Sequence, residues 1–161
     1  MSEAQTEKTG VIGFSESLAT YLSRWPSRAL EILRHTVADL DEEINRLEKL
    51  KEEDKATLKY FIGKLVRAVS VFADTFDKPV LSRYILKPEN LTKVSQAIVE
   101  IMRAYHMLVS EDLENARSTI DAIAGVIDNA SDLITTAVMS AISELTKKLE
   151  SSDCPEEILN P

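Results

Sequence analysis

From Phe14 onward, apolar side chains recur every three or four positions, the spacing that gathers them on one side of an α-helix. Phe14, Leu18 and Tyr21/Leu22 share a face, and Ser15 or Ser17 can cap the start. Trp25-Pro26 interrupts this run. Proline disfavours a helical residue before it and fits the first turn after it, so Pro26 is predicted to open a second helix with Trp25 packed at the joint. That helix, about 26–52, carries the sharpest periodicity in the chain. Leu30, Leu33, Val37, Leu40, Ile44 and Leu47 alternate spacings of three and four. Such a heptad seam must be covered by another helix, from this chain or from a second subunit.

A polar stretch at 50–57 separates this from a third helix, about 55–76, with Asp54 as a candidate cap. Its apolar stripe (Leu58, Phe61/Ile62, Leu65, Val66, Val69, Phe72/Ala73, Phe76) is wider than the seam before it, which predicts contact with several neighbours and the centre of the core. Asp77-Lys78-Pro79 ends it. Residues 80–86 can add a short turn of helix before Pro88, and a fourth helix spans about 89–109 through Leu91, Val94, Ala97/Ile98, Ile101/Met102, Tyr105 and Leu108. Ser110-Glu111-Asp112 supplies a cap and acidic first-turn residues for a last helix running from about 111 towards 149. Unbroken, it would be about 60 Å long, so a kink near Gly125 or Asp128-Asn129, matching helices laid end to end, or another subunit is required.

The fold class expected is therefore all-α: an elongated bundle of about five helices, with room for a long C-terminal helix and a helical dimer interface. The helical domain covers 14–150. Residues 1–13 and 151–161 lack periodicity and are expected to be flexible ends. With no Gly/Ser/Pro-rich divider in 161 residues, one domain suffices.

Charge changes the picture in the middle. The net charge of −8 gives no general attraction for nucleic acid or anionic lipid. Residues 55–103, however, carry nine Lys/Arg against four Asp/Glu, so a local contact with something acidic stays open. Lys55, Lys59, Lys64, Arg67, Arg83, Lys87 and Lys93 are the residues that would make it. Few in number and without an aromatic stacking track, they fit a match to the acidic second and last helices better than a nucleic-acid site.

Candidate chemistry is sparse. Cys154 is the only cysteine, so no intrachain disulfide or thiolate cluster forms. His35 and His106 do not follow a Glu at the spacing a di-iron bundle needs, and no zinc pattern is present. No nucleophile elbow surrounds a serine, and Gly10-Val-Ile-Gly13 lacks the rest of a phosphate loop. Catalytic, metal and cofactor-binding residues are expected to be none. With no charged leader and no apolar stretch read as long enough for a bilayer, the expected location is cytoplasmic without membrane contact.

The function this supports is a non-catalytic helical assembly or adaptor subunit, acting on another protein or on itself as a homo-oligomer. Trp25, Leu33, Leu40, Leu47, Tyr84, Ile134 and Ile142 are the interface candidates. Tyr21, Trp25, Tyr60, Tyr84 and Tyr105 are candidate anchors, with core or half-buried use expected for most of them; Trp25 and Tyr84 sit beside turns and are the two expected at the surface if any are. Two alternatives are kept: a small nucleoprotein subunit contacting the nucleic-acid backbone through 55–93, and an enzyme with a pocket between helices near Tyr105. The latter requires Tyr105, His106 and Glu100 to share a pocket.

Overall fold

The computed structural model describes residues 3–110, 113 and 117–159, with side chains described from residue 13 onward. Among these residues the chain forms seven helices and no strand: α1 (Glu3–Arg24), α2 (Arg28–Arg46), α3 (Glu52–Asp77), α4 (Pro79–Ile85), α5 (Pro88–Ser110), α6 (Arg117–Ser151) and α7 (Pro155–Leu159). The expectation of about five helices is thus corrected to seven in an elongated bundle. The two added ones are short. α4 forms because Pro79 presets the first turn while Lys78 before it is extended. α7 lies in the stretch read as a tail, and Arg83 donates a hydrogen bond to the Ile158 carbonyl there. α1 also begins at Glu3, well before Phe14. Ser110, expected to cap the last helix, instead closes α5, its Oγ donating to the His106 carbonyl, and the acidic residues Glu111 and Asp112 fall outside the described residues.

α2, α3, α6 and α5 form a ring in that spatial order, each packed on the next. α3 and α5 do not pack along each other, so they lie on a diagonal, and α4 makes the crossover between them. Directions follow from the pairings. Lys55 reaches Asn45 across the α2–α3 turn and Phe76 lies beside Leu30, so these two helices are antiparallel. Asp54 meets Arg117 and Lys64 meets Asp128, so α3 and α6 run the same way. Lys87 at the foot of α5 pairs with Glu144 near the far end of α6, making those two antiparallel. α1 packs outside the ring on α5.

The core is the interior of this ring. Leu33, Leu40, Ile44, Leu58, Leu65, Phe72, Ile98, Ile101, Ile120 and Ile134 are all sealed from solvent. Its centre is the α5–α6 pair and not α3 as expected. Three consecutive residues of α5, Ala97, Ile98 and Val99, are buried, which at 100° per residue requires neighbours on both flanks; α1 supplies the second. α6 runs unbroken through Gly125, about 52 Å for its 35 residues. α3 and α4, laid end to end, match it. By length and composition α6 could cross a membrane, contrary to the sequence expectation, but half of that stretch is buried inside the bundle. No other described helix meets that description.

Candidate interaction surface

Most residues proposed for an interface are used by the chain itself. Leu33 and Leu40 of the α2 seam and Ile134 of α6 are fully buried, so these three are covered by the chain itself. Leu47 is half-buried against the same core. Tyr84 is buried too, contrary to expectation. α4 lays it inward, Asn90 donates from Nδ2 to its carbonyl at 2.9 Å, and the Lys87 ammonium lies 5.3 Å from its ring centre. Only Trp25 and Ile142 of this group are exposed, on different elements.

The basic middle does not converge. Lys64 donates to Asp128 at 2.5 Å and sits 3.8 Å from Asp132; its pKa is raised, first by that hydrogen bond and then, against desolvation, by the two carboxylate charges. Lys87 is paired with Glu144, which raises its pKa in the same way. Arg83 is engaged by α7, and Lys55 by the Asn45 carbonyl at 3.5 Å. Lys59 and Arg67 remain exposed on α3, eight residues and therefore about 12 Å and 80° apart. Lys93 belongs to α5, across the diagonal. Two of these cations, Lys64 and Lys87, are turned onto carboxylates of α6.

An apolar surface appears elsewhere. Two rows run along one side of α5 at seven-residue spacing: Leu91, Ile98, Tyr105 and Ser95, Met102, Val109. Leu91, Ser95 and Ile98 are sealed, whereas Met102, Tyr105 and Val109 are 45, 38 and 52% exposed. A seven-residue repeat drifts only about 20° per step, so the same side of one helix changes from covered to open along its length. The cause is the arrangement of α1 and α2. Both pack on α5, and the three-residue corner at 25–27 joins them, but they do not pack along each other. Among the described residues, the α5 side between them is roofed near the corner and bare further on.

The walls of this groove can be assigned. On α1, Ser15, Leu18 and Leu22 mark the line facing the bundle; Glu16, Ala19 and Thr20 lie to one side, where they border α6 at Asn129 and Leu133. Phe14 and Tyr21, both exposed, lie to the other side of α1, towards α2, and Trp25 is exposed in the corner that follows. On α2, His35, Thr36 and Asp39 form an open hollow of about 420 Å³ with Ile101, Met102 and Tyr105. His35 Nε2 is 3.6 Å from Asp39 Oδ2.

Comparison with family models, with curated proteins and with solved structures returned no match. The surface must therefore be read by its own chemistry. Tyr105, His106 and Glu100 do not share a pocket: Tyr105 lines the α2–α5 hollow, Glu100 borders α1 and α6 on the opposite flank of α5, and His106 lines neither. Among the described residues no three His, Cys, Asp or Glu side chains gather as a metal-ligand set. Cys154 is exposed and unbridged. Periodicity places Met102 and Tyr105 on the apolar side of α5, but it reports which side of a helix is apolar and not where its cover ends.

Proposed function

We propose that the chain is a non-catalytic helical adaptor or assembly subunit that binds another protein in the groove between α1 and α2. The observation that carries this reading is the loss of cover along α5, from sealed Ile98 to exposed Met102, Tyr105 and Val109. Isolated exposed apolar residues are ordinary on a protein surface, but a contiguous apolar floor with aromatic walls marks a protein contact. Aromatic and methionine side chains are enriched at such contacts because they bury large areas and adapt to the partner. Nucleic-acid contact is the weaker reading, since Lys64, Arg83 and Lys87 are engaged within the chain.

The test is photo-crosslinking in the cells that make the protein, with a photoreactive residue in place of Tyr105 and, as control, of Glu156 on α7. Discrete protein adducts from position 105 and none from 156 support the reading. Equal adducts from both positions, or none from 105, overturn it.

A further inference from the structure

The groove has a charge as well as a shape. α2 turns Asp39 towards the hollow, and Glu43, one turn further on the same flank, continues it. Among the described residues no cation is paired with Glu43, and Asp39 has the imidazole of His35 as its neighbour. The nearby cations on these two helices are already engaged: Arg46 with Glu42 at 2.5 Å, and Arg103 with Glu100 at 3.4 Å. Among the described residues the open end is thus an apolar floor with an anionic wall on the α2 side, in a chain whose net charge is −8. A second copy would bring the same carboxylates and the same net charge against them, an arrangement that like-charge repulsion disfavours.

We infer that the occupant is a cationic amphipathic helix of a partner protein, its apolar stripe on Met102, Tyr105 and Val109 and its lysines or arginines beside Asp39 and Glu43. This rests on the proposed function and adds the chemistry of the partner. The groove suits a helix because its floor is a row at helical spacing, flanked by two helices that part from each other.

The experiment uses the full chain and two synthetic helices of about five turns with leucine on one face, one bearing lysines and the other glutamates on the opposite face. Binding is measured by fluorescence anisotropy, with sedimentation of the chain alone alongside. The expected result is binding of the lysine helix and not of the glutamate helix. Met102→Ser/Tyr105→Ser should weaken it on the order of tenfold or more. Asp39→Asn/Glu43→Gln should weaken it by about fivefold, and Glu156→Gln/Glu157→Gln on α7 should leave it unchanged. Lysine-helix binding that ignores the groove variants, or equal weakening by the α7 pair, overturns the inference. Groove-dependent binding of the glutamate helix, or self-association abolished by Met102→Ser/Tyr105→Ser, overturns the cationic partner while leaving protein docking in place. No groove-dependent association of any kind removes both. All substituted side chains are exposed or half-buried, and circular dichroism melts confirm that each variant folds.

Discussion

Asp54 and Arg117 stand 63 positions apart and meet at 2.5 Å, while Lys64 and Asp128, one rung further, are 64 apart. Nearly equal offsets mean that α3 and α6 advance side by side in the same direction, with the pairs as rungs. Apolar packing alone tolerates a slide of one helix past another; rungs of opposite polarity do not, because a one-turn shift separates every pair.

Asp54 makes the first rung testable. Its side chain is nearly buried, in the first turn of α3, where the helix dipole favours a carboxylate. Arg117→Ala leaves that carboxylate without its counter-charge. The variant is expected to melt at lower temperature than the double variant Asp54→Asn/Arg117→Ala, in which the stranded charge is also gone. Asp54→Asn alone closes the cycle, and a double variant whose loss is simply the sum of the two single losses would show that the rung carries no coupling.

The Lys64 rung, together with the separate pair Lys87–Glu144 between the start of α5 and α6, gives a dependence on alkaline pH. The ammonium groups of Lys64 and Lys87 are held above the ordinary lysine value of 10.5, chiefly by hydrogen bonds to Asp128 and Glu144. A folded-state value above the unfolded one means stabilisation that is fully present below 10.5 and is lost as pH rises through the folded value. Solvent reaches both pairs, so the effect is modest. Melting temperature is expected to fall above pH 10.5, and less steeply in Lys64→Met/Lys87→Met than in the parent. Parallel alkaline curves for the two proteins would contradict this.

These rungs also show what could be read from the chain beforehand. The alternating spacing from Leu30 to Leu47 identified α2 and its buried face, because a heptad seam depends only on local periodicity. The positive excess in 55–103 was visible, but not that only Lys64 and Lys87 of it would meet carboxylates of α6. Pro79 and Pro88 bracketed α4. What periodicity could not supply was which helix covers which. Tyr84 beside a turn reads as exposed until α4 is known to be a diagonal crossover that lays it inward. Met102 and Tyr105 read as core until α1 and α2 are known to part above them. Leu33, Leu40 and Ile134 read equally as core or as interface, since either use needs the same apolar side chain.

That last ambiguity has a measurable resolution. Leu33 is sealed within the bundle, whereas Ile142 is 39% exposed on α6. Leu33→Ala removes packing that nothing can refill and is expected to cost about 2–5 kcal/mol. Ile142→Ala is expected to change stability by no more than about 0.5 kcal/mol. Chemical denaturation at several protein concentrations measures both. A Leu33→Ala loss that vanished on dilution would assign Leu33 to an interface between copies after all.

Gly125 decides whether α6 is free on its outer side. It sits in the interior of the helix with ordinary negative φ, it is exposed, and a methyl group there would meet nothing within 4 Å. With no close approach to protect, the glycine brings only the entropy cost of fixing a flexible backbone. Gly125→Ala is therefore expected to raise stability by roughly 0.5–1 kcal/mol without altering the oligomeric state. Gly63 on α3, where the nearest atom is the Arg67 guanidinium at 3.7 Å, should respond in the same direction. If Gly125→Ala instead destabilises the protein, or dissociates a complex seen in the parent, another backbone approaches α6 at that point and the outer face is occupied. Equilibrium unfolding paired with light scattering distinguishes these cases, because an intrahelical gain does not depend on protein concentration and the loss of an intersubunit contact does.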